Sequence, residues 1–265
     1  MTNDGSVAAS NGGVSLTIDA GVAVITIDRP EVRNAIGSAT VDGLHAALAE
    51  IESTDDAAVA VIRGGGDRAF VSGGDLKELS TVRTHSEASD MAHNVRAVLD
   101  RLAALPIPVI AALNGHALGG GAETAVATDI RIAADDVRIG FSQVSLGIMP
   151  AWGGIERLTQ LVGRSRAMLA ITTGMQYDAV EAQRIGLVDL VVPRADFDER
   201  WQTLATAMAD TAPGTTRAIK AVVTAVAPAV HDHSRREAID LFATLWAAPA
   251  HWDAVDALSK TRKSR

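Results

Sequence analysis

The stretch Pro108-Val-Ile-Ala-Ala-Leu-Asn-Gly-His-Ala-Leu-Gly-Gly-Gly-Ala-Glu123 constrains the chain more than any other. Val109 to Leu113 is apolar and tolerates extended backbone, and Asn114-Gly115 is a turn signal. Gly119, Gly120 and Gly121 then precede a helical pattern opened by Ala122, Ala125 and Val126. Glycines at such a place let backbone and ligand approach with no Cβ between them. The first N–H groups of a helix lack intrahelical partners, and the helix dipole makes that end mildly positive. A strand feeding a glycine-lined helix start therefore suits an oxygen on which negative charge develops. Glu123 would project from the first turn beside that spot. A tight strand-to-helix turn with a solvated Glu would read the same way, so this stretch alone does not decide.

The rest of the chain can build a large core around it. Its 265 residues are 48% apolar but hold only one Tyr and four Trp, so aliphatic and Ala packing must dominate. The absence of cysteine excludes disulfides, thiolate metal sites and Cys nucleophiles, and fits a cytoplasmic protein. The net charge is −8, and Lys260 to Arg265 is the one basic block, so no nucleic-acid partner is expected. Residues 1–13 are small and polar, without a basic segment leading into an apolar one, and read as a flexible N-terminus rather than a signal peptide. The longest uncharged run, Leu105 to Ala122, carries Pro106, Pro108, Asn114 and several glycines. That content suits a buried strand and turn, and no membrane span is expected.

Hydrophobic periodicity orders the elements. Val14–Asp19 and Val22–Ile27 alternate about Ala20-Gly21, a hairpin signal. Thr40, Leu44, Leu48 and Ile51 fall at helical spacing after a cap at Ser38. A strand follows at Ala57–Ile62, then Gly64-Gly65-Gly66, and a helix at Ser86–Ala104. Strands at 109–113, 129–133 and 138–141 alternate with the helix from Gly120. This order predicts an α/β fold with a largely parallel sheet. Beyond Gly153 the chain reads as mostly helical, with one strand at Val188–Val192.

A second segment, Arg68-Ala-Phe-Val-Ser-Gly-Gly-Asp-Leu-Lys-Glu-Leu79, again sets two glycines and an acid before a helical pattern. Together the two segments resemble the enoyl-CoA hydratase/isomerase (crotonase) superfamily. Ser72-Gly-Gly-Asp-Leu-Lys77 matches its A-G-A-D-hydrophobic loop, and Asn114 to Glu123 matches its N-G-x-A-x-G-G-G-x-E element. Asp28-Arg-Pro-Glu-Val-Arg-Asn-Ala35, Leu146-Gly-Ile-Met-Pro150, Gly153-Gly-Ile-Glu-Arg-Leu158 and Gly174 through Asp189 keep the family's order. The resemblance implies a crotonase-like spiral of ββα units over 14–195. It also implies a C-terminal helical region, 196–265, serving trimerisation and acyl-CoA cover. A homotrimer or homohexamer acting on an acyl-CoA thioester would follow, with coenzyme A entering as part of the substrate and no tightly bound cofactor.

Chemistry at a thioester passes through an enolate-like state, and losing one oxyanion donor costs roughly 3–4 kcal/mol. By resemblance the donors are the Gly74 and Gly120 N–H groups, and Glu123 is a catalytic carboxylate. Counting back four from Gly147 puts Gln143 where the family has its second Glu. An amide can hold a water but cannot exchange a proton. Ala151 stands where another member type has an Asp. Backbone and side chains of Arg33, Ala35, Ala69, Ser72, Gly74, Asp75, Leu76, Lys77 and Gly120 would hold the coenzyme A moiety. Trp246 and Lys260 approximate a Phe and Lys that the family places over a neighbouring subunit's coenzyme A. Glu156 reads as an exposed helix position, and His116 as a core or pocket-wall residue. No histidine spacing suggests a metal site, and His231-Asp-His233 reads as solvated. The expected activity is enoyl-CoA hydration. A single-carboxylate isomerase, decarboxylase or thioester hydrolase, or a non-catalytic acyl-CoA-binding homologue, are the alternatives.

Overall fold

The computed structural model describes residues 7–212, 214–226 and 232–263. Eleven strands among them form two sheets. The strands are β1 (Val7–Asn11), β2 (Val14–Asp19), β3 (Val22–Ile27), β4 (Val59–Gly64), β5 (Ala69–Val71) and β6 (Val109–Leu113). β7 (His116–Leu118), β8 (Ile130–Ala134), β9 (Arg138–Gly140), β10 (Gln176–Asp178) and β11 (Leu190–Val192) complete the set. The larger sheet has the order β1-β2-β3-β4-β6-β8-β11, antiparallel through β3 and parallel from there on. The smaller has the order β10-β9-β7-β5.

The pairs β4/β5, β6/β7 and β8/β9 each give one strand to each sheet, so the chain winds as a spiral with no sequence repeat to announce it. All five residues of β6 are buried, as its uncharged sequence requires. Within the stretch read as a flexible terminus, Val7–Asn11 pairs antiparallel with β2, while residues 1–6 lie outside the described residues. β5 and β7, three residues each, are too short to show periodicity in sequence.

The helices are α1 (Ser38–Ser53), α2 (Leu76–Leu79), α3 (His85–Ala104), α4 (Gly120–Val126), α5 (Gly154–Val162) and α6 (Arg164–Thr173). α7 (Ala179–Arg184), α8 (Phe197–Ala209), α9 (Thr215–Val226), α10 (Asp232–Ala247) and α11 (Pro249–Lys263) follow. α1 buries Leu44, Leu48 and Ile51, and α3 buries Val95, Val98, Leu99 and Leu102. The cap expected at Ser38 is a correction: Gly37 is the N-cap and makes no side-chain cap bond. The Ser38 N–H instead donates to Glu78 Oε1 of α2 at 2.8 Å. A carboxylate from outside the helix takes the role, because a Cβ at Gly37 would overlap the space it fills.

Two buried asparagines bind the Gly64–Gly66 loop. Asn114 accepts the Gly64 N–H at 2.9 Å and donates to the Gly64 and Gly66 carbonyls. Asn34, in the left-handed region at φ 57°, donates to Gly65 and Ala69. Both motif asparagines thus hold the approach to β5.

C-terminal to the boundary read near residue 195, Phe197, Trp201, Phe242 and Trp246 bury into the same core as the sheets. α10 packs along α3. Among the described residues no helix is long and apolar enough to cross a membrane. The side chains of His231 and His233, and residues 264–265, lie outside the described residues.

Candidate active site

Glu123 sits in the first turn of α4, a helix buried along its whole length, and is itself only 2% exposed. Its Oε2 accepts the backbone N–H groups of Trp152 at 2.7 Å and Gly154 at 2.9 Å. Its Oε1 accepts Nε2 of Gln143 at 2.9 Å. Burial pushes the carboxyl up to about 7, opposed by the Gly154 and Trp152 N–H groups and by Gln143, while Glu156 adds to the rise. A carboxyl poised there can both take and return a proton near neutral pH.

Gln143 comes from a 3-10 turn, Ser142–Leu146, that follows β9. Its Oε1 is buried with no partner, so the side chain holds Glu123 with one end and keeps an acceptor free at the other.

Gly74 and Gly120 lie on the same pocket as Glu123, joined by Gly73, Leu79, Trp152 and Gln143. Gly73, at φ 107°, is close enough that a Cβ on it would sit 3.3 Å from the Gly120 nitrogen. Among the described residues, neither the Gly74 nor the Gly120 N–H has a backbone acceptor. Two unclaimed donors therefore border one pocket beside a buried carboxyl.

The residues expected to hold coenzyme A divide into groups. Arg33, Ala69 and Ser72 line a second cleft together with Arg68, His116 and Arg194. His116 is exposed there, its Nδ1 accepting the Arg138 N–H at 3.1 Å. Leu76 lines the pocket of Glu123. Ala35 is buried and gives its carbonyl to Arg29 at 2.6 Å. Asp75 caps α2 and pairs with Arg29 at 2.9 Å, and Lys77 is exposed on α2. These last three are not brought into either cleft.

One expectation changes. Glu156 is not an exposed helix position: its side chain is 14% exposed and pairs with buried Arg96 at 2.8 Å. Trp246 lines the pocket of its own chain, beside Phe242, with its indole N–H donating to Val82 O at 2.9 Å. Lys260 is exposed on α11.

Sequence reading missed Trp152, whose backbone holds Glu123 and whose indole lies on the glycines. The signal was a glycine pair, Gly153-Gly154, directly before an amphipathic helix. Among the described residues no group of three or more His, Asp or Glu could hold a metal ion.

Residues 17–263 match the enoyl-CoA hydratase/isomerase family. The chain is 40% identical over 192 residues to a short-chain-enoyl-CoA hydratase of Clostridium acetobutylicum, covering 72% of this chain and 73% of that protein. It is 35% identical over 247 residues to the enoyl-CoA isomerase/hydratase fer4 of Mycosarcoma maydis, covering 84% and 89% respectively. The crystal structure of an enoyl-CoA hydratase from Bacillus anthracis aligns with a TM-score of 0.79 at 30% identity, over 96% of this chain and 97% of that one. With nearly the whole chain matched in sequence and in fold, the protein belongs to the enoyl-CoA hydratase/isomerase family.

Proposed function

We propose that the protein hydrates a 2-enoyl-CoA thioester with Glu123 as its single proton-transfer group. The observation that carries this is the buried Glu123 carboxyl, near 7, on the same pocket as two unclaimed backbone N–H groups. The thioester oxygen would sit between the Gly74 and Gly120 N–H groups. Glu123 takes a proton from water as the hydroxyl adds to the β-carbon, and the electron pair moves onto the thioester oxygen. The protonated carboxyl then delivers that proton to the α-carbon, so water is added with no other acid or base. Gln143, standing where the family's second Glu would be, would accept a hydrogen bond from the water through its free Oε1, without taking a proton.

One carboxyl facing an amide also favours a second reading, double-bond migration. There a single base removes a proton from one carbon and returns it to another, with no water to activate. Liquid chromatography and mass spectrometry on 2-enoyl- and 3-enoyl-CoA panels separate the readings. Gain of the mass of water supports hydration. Migration alone moves the assignment to isomerase, and no turnover of either panel refutes both.

The cleft lined by Arg33, Arg68 and Arg194 is proposed to take the coenzyme A phosphates, supported by the Arg33 and Arg68 guanidiniums beside the Ala69–Ser72 segment, while Arg194 is held by Asp136. A homotrimer or homohexamer is supported by apolar side chains left exposed on outer helices. Ile219, Val222, Val223 and Val226 are 57–79% exposed on α9, and Met168 and Leu169 about half exposed on α6. Light scattering tests it, and a monomer at micromolar concentration would refute it.

A further inference from the structure

The orientation of Glu123 depends on a turn that it does not belong to. Both N–H groups on its Oε2 come from Trp152 and Gly154, flanking Gly153 at φ 94°. For both to point at one oxygen, the peptide plane between Trp152 and Gly153 must be held. Arg157, one turn into α5, holds it. Its Nη1 donates to the Trp152 carbonyl at 3.1 Å, and its backbone N–H to the Gly153 carbonyl at 3.2 Å. A Cβ on Gly153 would overlap that guanidinium, so the glycine is what lets it lie on the turn.

The far end of the guanidinium is clamped in turn. Arg157 Nη2 donates to Asp100 Oδ1 on α3. Asp100 Oδ2 accepts Arg235 Nη1 of α10 at 3.3 Å and lies 3.5 Å from Arg96 Nε. Arg96, also on α3, holds Glu156 of α5 at 2.8 Å. The charged groups packed round the turn are thus Glu156 and Arg157 from α5, Arg96 and Asp100 from α3, and Arg235 from α10. An ion pair that only tied α3 to α5 would have no reason to end on the carbonyl of a residue whose N–H touches Glu123.

We propose that Arg157, clamped by Asp100, is a positioning residue for Glu123, acting through the Trp152–Gly154 turn. Its kinetic consequence rests on the proposed role of Glu123, but the positioning itself is a property of the unliganded protein.

The test follows the Glu123 carboxyl by difference infrared spectroscopy across pH, with Glu123→Gln identifying the band. Arg157→Met and Asp100→Asn loosen the turn, weaken the N–H donation and leave burial less opposed. Their titration midpoints should rise by about one pH unit. Arg157→Lys keeps the charge but lacks the fork that spans Trp152 O and Asp100, so it should shift the midpoint too. Arg101→Met breaks a comparable α3 pair with Glu52 on α1, held at 2.6 Å. It should lower thermal stability without moving the midpoint. With substrate, the Arg157 and Asp100 variants should lose kcat with KM little changed.

Unchanged midpoints in Arg157→Lys and Asp100→Asn overturn the proposal, and Asp100→Asn decides alone if the Arg157 variants do not fold. An equal shift in Arg101→Met also overturns it, showing a general loosening. If the native protein turns over no acyl-CoA, the activity reading fails while the titration still decides the positioning role.

Discussion

The indole of Trp152 occupies the space that a Cβ on Gly120 would need. Its ring also stands 3.6 Å from where a Cβ on Gly74 would lie. One side chain therefore roofs both proposed oxyanion donors, while the backbone of the same residue holds the proposed base. The two glycines differ in what surrounds them, and this difference can be measured.

Gly120→Ala must displace a buried ring and should cost about 1–3 kcal/mol in stability together with most activity. At Gly74 the nearest atom to an added Cβ is Leu79 Cδ1 at 2.7 Å, the end of a flexible side chain. Gly74→Ala should therefore fold with a smaller loss. Urea denaturation of both variants, and of Gly120→Ala combined with Trp152→Ala, checks the cause. The double variant should recover part of the loss, and additive penalties would count against the ring as the obstacle.

Glu123 should make stability depend on pH in a definite direction. Its folded value near 7 lies above the ordinary 4.5, so the folded state holds the proton more tightly than the unfolded chain. The associated stability is complete below about 4.5 and is lost as pH rises through 7, reaching at most about 3 kcal/mol. Glu123→Gln removes the ionisation. Relative to the native protein it should gain stability between pH 5 and 8, read by denaturant midpoints. A constant difference over that range would contradict the burial argument.

Gln143→Glu would place a second carboxyl about 2.9 Å from the first. The pair should share one proton and titrate in two separated steps. If hydration is the reaction, turnover of a short enoyl thioester should rise, because one acid could release a proton while the other accepts one. Loss of a positioned proton-transfer group costs about 10²–10⁴-fold, and this sets the scale of the gain. An unchanged rate in an already fast enzyme would show that one carboxyl is enough.

Trp152, Leu79 and Met91 line both the Glu123 pocket and a neighbouring cavity of about 500 Å³ between α1, α2 and α3. They form a partition. Trp152→Ala should join the two spaces and move the preferred acyl chain to greater length, since its backbone N–H to Glu123 is kept. Comparing kcat/KM across a chain-length series tests this, and an unchanged preference would place the acyl tail elsewhere.

Sequence legibility followed element size and the origin of each interaction. Buried β6 and the long amphipathic α3 could be read from periodicity because one face or run had to be apolar. β5 and β7 could not, at three residues each, although their glycine neighbours marked the site. Glu123, Gly74, Gly120 and Gln143 were legible because local motifs carry them. Trp152 and the role proposed for Arg157 were not, since both depend on a turn packed against α3 and α4, and no local pattern records that. Glu156 was misread for the same reason: its partner Arg96 lies sixty residues away.

Phe242 and Trp246 line the pocket of the chain they belong to. Each polypeptide then holds every group proposed for the chemistry, whatever number of copies assemble. In particles mixed from native and Glu123→Gln chains, turnover should track the fraction of native chains linearly. Neighbours would neither rescue a dead copy nor silence a live one, so assembly would bear on the lifetime of the fold rather than on the reaction.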